Sequence, residues 1–534
     1  MKYYSEHFVR KYIIRACITR VITSLDECDN TQLSARLIKL KESEIEKSVN
    51  KHGDNSIIWI NYMNKYKKLV SNSIVFAIGS FGSKILNLVM VPLYTFVLTT
   101  IQYGTVDLLT TTISLLVPTL SLSIDEAVLR FVMLKDITEE KQRGVFTTAI
   151  VLNILSQLLF TLLVYPILRY FDVFGPLLNP FLALLLFSQI QTTLSQYTRG
   201  IGKVKAFALN GIIMTVVTTS MNVLLLVVYR FGLNGYIWSL IAANVISVIY
   251  LFIVADGWHA FSLKTINRKL VNKMIIYSVP LIPNMVIWWV ISGSTRYFIL
   301  AFLGASVNGL FAVANKIPSI LSTFTTIFQQ AWQLSAFEEF TSKKSKTFFS
   351  KVFEYYYQFL FIGCSAIYVL LKTVIPKVVG TSFVDSWMIM PILLLAVVYQ
   401  SFSSFIGTNY TASMQTRGVF TSSIIGGIIS VICNLTFIPL FGTIGTGIGT
   451  CVSFIITFVY RYWDTKKIFE FQLNFKPFLL NNFVIVIQGV LLYLVSSTML
   501  LWISQIICFF LVVLLNRKMF LKLIGMASNH HKLS

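Results

Sequence analysis

Charged side chains and cysteines are both scarce in this sequence. Only 12% of its 534 residues are charged, against about 25% in an ordinary soluble domain, which argues against a water-soluble fold. The six cysteines are scattered, and none has the spacing of a CxxC pair or a metal site, so we interpret them as small apolar side chains. His530 and His531 alone are too few ligands for a metal ion. We expect neither a metal nor a cofactor.

Motifs of enzyme chemistry are also lacking. The chain has no Walker lysine loop, no HExxH, no GxSxG and no acidic pair suited to glycosyl transfer. No segment between the apolar runs is long enough to form an outer catalytic domain. We therefore predict that the protein is not an enzyme.

Long apolar runs dominate the chain instead, since 55% of the residues are hydrophobic. A run of about 20 residues crosses a hydrocarbon core of about 30 Å as a helix. The sequence therefore predicts an all-α integral membrane fold with about fourteen transmembrane helices. The runs cover residues 70–98, 106–134, 145–168, 177–200, 206–229, 234–255, 274–301, 306–335, 350–371, 384–411, 418–439, 443–463, 478–496 and 498–516.

The distribution of positive charge predicts the orientation. A net charge of +22 would suit a nucleic-acid partner, but membrane proteins collect lysine and arginine in their cytoplasmic loops. Loops with many basic residues alternate along the chain with loops that have few. We assign the loops with few basic residues to the outside. These loops hold only Arg169, Arg230, Lys372 and Lys377. The sequence thus predicts a multi-pass protein of the cytoplasmic membrane, with both termini in the cytoplasm and no nucleic-acid partner.

Residues 1–62 differ from the rest because they have mixed charge and no apolar run. We predict a charged cytoplasmic extension there. Met63 opens a short basic segment directly before the first apolar run, as a natural protein start does, so an extension without function is the alternative. The other predicted regions are a six-helix lobe at 63–256, a cytoplasmic loop at 257–273, a second six-helix lobe at 274–466, and two further helices with a tail at 467–534.

An internal repeat supports the two lobes. Several segments of the first lobe recur in the second at a nearly constant offset, although chance similarity between apolar helices is the alternative. The pairs are Gln196–Thr198 with Asn409–Thr411, Phe231–Gly235 with Phe441–Gly445, and Asn222 with Asn434. Matched segments begin on the same side of the membrane, so we predict a pseudo-twofold axis along the membrane normal and a substrate site between the lobes.

Ionisable residues inside the spans are the first candidates for function, because charge in hydrocarbon is costly. Lys84 lies in the first span, Arg296 in the seventh and Lys316 in the eighth. We predict that these cations face one cavity and attract an anion such as phosphate or pyrophosphate. An internal salt bridge is the alternative for each.

Other polar residues in the spans follow helical stripes. We expect an uncharged set to line the same cavity, namely Ser80, Asn87, Asn308, Asn315, Ser319 and Gln329. The acidic residues Asp107, Asp125 and Glu126 are candidates for ion coupling, but Asp125 and Glu126 could instead pair with Arg130. For Trp288 and Trp289 we weigh stacking on sugar against packing or interface anchoring.

Several segments together resemble a known family. They are Asn72–Ile74, Gly79–Lys84, Pro92–Tyr94, Tyr103–Gly104, Tyr197–Lys203 and Gly232–Gly235. Over about residues 63–520 the chain resembles the polysaccharide-export flippases, often called Wzx, of the multidrug/oligosaccharidyl-lipid/polysaccharide exporter superfamily. Such flippases are similar in placing cations in the first, second, seventh and eighth spans, where this chain has Lys84, Arg296 and Lys316.

The resemblance implies a function. The protein would carry undecaprenyl-diphosphate-linked oligosaccharide to the outer leaflet by alternating access, for capsule, exopolysaccharide or O-antigen assembly. Its partners would be membrane lipids, a polysaccharide polymerase and glycosyltransferases. The alternatives are a multidrug/toxin-type ion-coupled exporter, a lipid II flippase and, less well supported, a membrane polymerase or a channel. We expect Arg296→Ala or Lys84→Ala to abolish polymer display while the protein stays in the membrane.

Overall fold

A computed structural model describes residues 82, 86–134, 137–340, 345–413, 415–467 and 472–517. Within these ranges the chain forms helices and the short turns that join them, without a β-strand. The predicted all-α membrane fold is confirmed. The extension at 1–62 lies outside the described residues, and so do Ser80 and Lys84.

The helices are numbered here in chain order. They are α1 Val91–Val97, α2 Thr100–Leu120, α3 Ile124–Val132, α4 Glu139–Tyr170, α5 Leu178–Gly200, α6 Val204–Asn222, α7 Gly232–Val254, α8 Gly257–Ala260, α9 Arg268–Ser278, α10 Ile282–Ser292, α11 Thr295–Ala314, α12 Lys316–Glu339, α13 Ser345–Val378, α14 Met390–Ala412, α15 Thr416–Thr465, α16 Phe475–Leu494 and α17 Thr498–Leu515. Short 3-10 turns lie at Gly175–Leu177, Leu263–Thr265, Val279–Leu281 and Thr381–Met388, and a π-helical turn, Val223–Val228, extends α6.

Ten helical stretches in the described ranges are long and apolar enough to cross a membrane, or eleven with the bent pair α2 and α3. Two of the ten, Arg268–Ala314 and Arg417–Thr465, are interrupted by a glycine. Gly304 has φ 83° and Gly442 has φ 57°, a backbone conformation that glycine adopts without a steric penalty. Each glycine falls between two of the apolar runs, so each stretch contains parts of two spans.

The second span is broken in a different way. Helix α2 begins at a capping box formed by Thr99 and Gln102, and α3 follows it at a bend of 57°. The bend is made by Leu122 and Ser123, which have φ of 55° and 51°. Two successive residues other than glycine in the left-handed region are uncommon. The second span therefore changes direction just before Asp125.

Matched contacts occur in the two halves of the bundle, which we define as the first half, α1–α7, and the second half, α9–α15. Gly232 and Gly442, equivalent in the repeat, both have positive φ. The amide of Asn222 donates to the Tyr94 hydroxyl at 2.9 Å, and that of Asn434 donates to Thr295 Oγ1 at 3.1 Å. Both amides thus join the fifth span of their half to its first, as a duplicated fold requires. The domain boundaries given above stay predictions.

Amide side chains join α16 to α17 and α16 to the second half. Gln488 accepts a hydrogen bond from Ser365 of α13 at 2.6 Å, and Gln505 Nε2 donates to the Gln488 carbonyl at 3.0 Å. Asn481 and Asn516 exchange hydrogen bonds between the same two helices. Buried amides hold helices together in an apolar solvent that offers them no other partner.

Candidate functional site

The two halves meet along a seam, defined here as the contact between α2 and α11. Gly104 and Gly309 let the two backbones approach closely. A Cβ atom at Gly104 would lie 2.1 Å from the Ala305 carbonyl oxygen, and one at Gly309 would lie 2.0 Å from that of Thr100. No larger residue fits at either position. Small residues are the usual means by which membrane helices pack this tightly.

Hydrogen bonds hold the same end of the bundle together. Thr100 Oγ1 and Ser306 Oγ are 2.8 Å apart, and the backbone N–H of Gly380 donates to Thr95 Oγ1 at 3.0 Å. The Asn308 amide donates to the Gly104 carbonyl oxygen at 2.8 Å and is completely buried. Asn308 was expected to line a cavity. It bridges the seam instead, because the glycines bring α2 within reach of its side chain.

An ion pair crosses the seam. Arg296 Nε donates to Asp107 Oδ2 at 2.6 Å, and Nη1 donates to the Ser292 carbonyl oxygen at 3.1 Å. The guanidinium also lies over the Phe311 ring, 5.5 Å from its centre. The two charged side chains are only 17% and 19% exposed. A cation and a carboxylate at low dielectric must compensate each other, and Asp107 is the partner that the first half supplies.

Lys316 completes what we call the seam cluster, Asp107, Arg296 and Lys316. Its side chain interacts electrostatically with both other members. It is partly buried, and no described residue forms a hydrogen bond or an ion pair with its ammonium group. Two cations therefore face one carboxylate. The formal charges of the three side chains sum to +1, and the Lys316 ammonium group is left without a partner among the described residues.

Tyrosines border the cluster on the first half. Tyr103 lies one turn before Asp107 on α2 and interacts electrostatically with it. The Tyr94 and Tyr236 rings are 4.9 Å apart, and the Tyr103 ring meets Phe383 edge to face at 5.9 Å. The sequence did not predict a role for Tyr103 or Tyr236. For Tyr103, the sequence signal is its position four residues before Asp107 on the same helix. Tyr236 has no such spacing from Asp107.

The remaining predicted cavity residues have varied positions. The Asn315 amide and the Ser319 hydroxyl bond within their own helical segment, to the carbonyl oxygens of Phe311 and Lys316. Asn87 is exposed. Gln329 differs from expectation, because its amide donates to Thr408 Oγ1 at 2.6 Å and to the Ser404 carbonyl oxygen at 3.1 Å. It ties α12 to α14 inside the second half.

The acidic pair at the start of α3 stands apart from the seam cluster. Asp125 is 7% exposed, and its Oδ1 atom has no hydrogen-bond partner among the described residues. Glu126 is partly buried and Arg130 is exposed. The part of the chain that the structure describes contains no ion pair between Arg130 and either acid. The predicted coupling role of Asp125 and Glu126 stays a prediction.

Cysteines and metal-binding types of residue form no further site in the described ranges. Cys364, Cys433, Cys451 and Cys508 are buried and free. No group of three or more histidine, cysteine, aspartate or glutamate side chains comes together within those ranges. The candidate site is therefore the seam cluster and its surroundings.

A bundle of apolar helices in two matched halves, with charged residues at the seam, defines the protein as a multi-pass membrane protein with a transporter fold. Residues 69–333, about half of the chain, match the family described as "Polysaccharide biosynthesis protein". The resemblance to polysaccharide-export flippases is thereby confirmed over that stretch.

Solved structures share the fold. The inward closed conformation of the lipid II flippase MurJ has a TM-score of 0.63 and 15% identity, over 84% of this chain and 100% of that one. The inward-facing conformation of a multidrug resistance MATE family transporter of the MOP superfamily has a TM-score of 0.59 and 14% identity, over 72% of this chain and 95% of that one. At these identities the similarity is one of fold.

A curated relative is also similar in sequence. It is an uncharacterized membrane protein of Methanocaldococcus jannaschii, 26% identical over 276 residues, which are 48% of this chain and 53% of the relative. The chain thus spans about half the length of the curated relative that it matches.

Proposed function

We propose that this protein is a flippase that moves an undecaprenyl-diphosphate-linked oligosaccharide from the inner to the outer leaflet of the cytoplasmic membrane. The observation that carries the proposal is the seam cluster, where Arg296 and Lys316 of one half meet a single carboxylate, Asp107, of the other. The family match over residues 69–333 supports it.

The positive charges of the cluster suit the diphosphate, which is the part of the cargo that does not dissolve in hydrocarbon. A diphosphate cannot enter the bilayer without cations and hydrogen-bond donors. At an effective dielectric of about 20, two opposite charges 4 Å apart attract by roughly 4 kcal/mol. The Arg296 fork offers two parallel donors to a phosphate, and Lys316 adds a charge that Asp107 does not neutralise. The lipid tail stays in the bilayer during transfer.

The packing of the two halves fits alternating access. The end that contains Gly104 and Gly309 is closed by backbone contact. Further along α12, Thr326, Gln330 and Gln333 are exposed, as polar side chains beside a wet cleft would be. In the predicted orientation that cleft opens to the cytoplasm, where the cargo is made. Rocking of the halves about the seam would then open the Gly104 end.

The surrounding pathway follows from the cargo. Glycosyltransferases would build the oligosaccharide on its lipid at the inner face, and a polysaccharide polymerase would consume it at the outer face. The product would be capsule, exopolysaccharide or O-antigen. No nucleotide-binding motif occurs in the sequence, so we propose an ion gradient or the membrane potential as the driving force, with Asp107 and Asp125 as candidate coupling groups.

A multidrug exporter is the second candidate, because the MATE transporter shares the fold. A net positive seam cluster disfavours the organic cations that many drugs are, since like charges repel most strongly at low dielectric. Helices α16 and α17 extend the core beyond two six-helix halves. Both features favour a large anionic lipid as cargo.

The test uses the full-length protein in vesicles with a fluorescent polyprenyl-diphosphate oligosaccharide, whose appearance in the opposite leaflet is measured. We expect Arg296→Ala and Lys316→Ala each to slow transfer by at least about tenfold, because a desolvated charge pair is lost. Arg130→Ala is the matched control, since Arg130 is exposed, and it should transfer at the normal rate.

Two results would contradict the proposal. One is equal transfer of the same oligosaccharide on a polyprenyl lipid that lacks the diphosphate. The other is transfer of an organic cation such as ethidium by the same vesicles, with no movement of the diphosphate lipid.

A further inference from the structure

A cavity of about 270 Å³ lies between α2 and α10. Its volume is slightly smaller than the about 300 Å³ at which pockets for drug-sized ligands begin. It is lined by Ser114, Leu115, Pro118, Thr119, Asn284, Met285, Val286, Trp288 and Trp289. The first four belong to the first half and the others to the second. Like the seam cluster, the cavity is therefore shared between the halves, and its size suits one or two sugar rings.

The lining consists mostly of apolar side chains, including two indoles, with a few polar groups and no charged side chain. Its polar groups are the Asn284 amide and the hydroxyls of Ser114 and Thr119, which donate to carbonyl oxygens of their own helix and can still accept a hydrogen bond. Ser114 and Asn284 are exposed, and the Asn284 side chain has no hydrogen-bond partner among the described residues. A diphosphate would find no counter-charge here. A lipid tail would leave the Asn284 amide without a hydrogen-bond partner, which is unfavourable. A sugar ring offers an apolar C–H face to an indole and hydroxyls to the amide.

The two indoles are held by opposite halves. The Arg461 guanidinium of α15 lies over the Trp288 ring, 5.9 Å from its centre. Trp289 Nε1 donates to the Thr111 carbonyl oxygen of α2 at 3.0 Å, and its ring meets Tyr297 at 5.6 Å. Fixed aromatic rings bind a ligand at little cost in conformational entropy. Trp288 is thus a rigid platform at the wall of the cavity.

The distance from the seam cluster matches a diphosphate-linked sugar. Ser114 follows Asp107 by seven residues on α2, and Trp289 precedes Arg296 by seven on the antiparallel α10–α11 segment. Seven residues of helix are about 10 Å. A diphosphate at Arg296 would therefore extend its first sugars into the cavity, on the side away from the Gly104 contact.

We propose that this cavity is the carbohydrate subsite of the flippase, with Trp288 as the stacking platform and Asn284 as the hydrogen-bonding residue for the sugar nearest the diphosphate. The inference rests on the proposed function, and it adds that the protein recognises the glycan as well as its charged linker.

The experiment measures the Kd of the full-length protein in nanodiscs for fluorescent polyprenyl diphosphate, bare or carrying one hexose or one N-acetylhexosamine. The wild type should bind at least one glycosylated probe roughly tenfold more tightly than the bare probe, a difference of about 1.4 kcal/mol. Trp288→Leu and Asn284→Ala should abolish this preference and leave the Kd of the bare probe unchanged. Leucine keeps the apolar packing, so a folding defect is avoided.

Two control variants should keep the preference. Trp288→Phe retains an aromatic face, and Trp238→Ala removes an indole that is 52% exposed on α7. The subsite is overturned if the preference survives Trp288→Leu and Asn284→Ala, or if the wild type has none. It is also overturned if Trp288→Leu weakens the bare probe equally, since a lipid tail would then occupy the cavity. The proposed function fails separately, if the wild type binds no probe or if Arg296→Ala leaves binding of the bare probe intact.

Discussion

Arg296 and Arg461 are two arginines within the apolar bundle, in contrasting surroundings. Arg296 lies at the seam and pairs with the carboxylate of Asp107, which the other half supplies. Arg461 is 2% exposed inside the second half. Within the described part of the chain its guanidinium donates to neutral acceptors, namely the hydroxyls of Ser422 and Ser423 and the Ser403 carbonyl oxygen.

The contrast separates two uses of a buried charge. The partners of Arg461 belong to the same half, so they would move with it in the proposed rocking of the halves. The partner of Arg296 belongs to the other half, and in the proposed function a phosphate replaces it. We therefore expect changes at the seam to alter transport and changes inside one half to alter stability. Three experiments test this division.

Arg461→Ala should have the largest effect of these variants, and the effect should be a loss of stability. It removes three hydrogen bonds made by a buried cation, and a hydrogen bond to a charged group contributes about 1.5–3 kcal/mol. We expect a loss of about 3 kcal/mol or more, measured as a lower Tm of the helical circular dichroism signal in detergent. Lys467→Ala, at a side chain that is 80% exposed, is the control. A stable Arg461→Ala protein that fails to transport would assign Arg461 to the cargo instead.

Gly309→Ala and Gly445→Ala form a matched pair. A Cβ atom at Gly309 would lie 2.0 Å from the Thr100 carbonyl oxygen across the seam, and one at Gly445 would lie 1.9 Å from that of Phe437 within the second half. Overpacking of this kind costs about 1–3 kcal/mol. We expect Gly309→Ala to slow vesicle transport about tenfold at normal Tm, because the halves no longer close, and Gly445→Ala to lower the Tm.

Gly211→Ala serves both members of the pair as a control, since a Cβ atom there would meet nothing within 4 Å. The same loss of Tm in Gly309→Ala and Gly445→Ala would remove the distinction between seam and interior.

Asp107→Asn should have the smallest effect of these variants, and the effect should be on the affinity for the diphosphate lipid. It removes the anion that competes with a phosphate for Arg296, so bare polyprenyl diphosphate should bind about threefold more tightly, within the range of a partly screened charge pair. Asp107→Glu should restore the original Kd. Weaker binding by Asp107→Asn would mean that the carboxylate chiefly holds Arg296 in position.

Much of the fold could be predicted from the sequence because apolar length and glycine are local signals. The runs that end near Gly304 and Gly442 were predicted from hydrophobicity alone, and both glycines carry the positive φ that ends a helix. The repeat of Asn222 and Asn434 likewise led to equivalent contacts in the two halves.

The pairing within the candidate site could not be predicted in the same way. Asp107 and Arg296 are 189 residues apart, and a helical stripe indicates a common face but not what that face contacts. Asn308 and Gln329 lie on the predicted polar stripe, yet one bridges the seam and the other bonds to α14. Their partners depend on how closely helices approach, which glycines distant in the chain decide.

The left-handed conformation of Leu122 and Ser123 places backbone strain in the second span. Each such residue costs roughly 1–2 kcal/mol relative to helical backbone, and surrounding packing holds both in place, since Ser123 is completely buried. Straightening of α2 and α3 into one rod would release that energy and swing the Asp125 carboxyl through a wide arc. A conformational change that straightened this bend would therefore regain the energy held in these two residues.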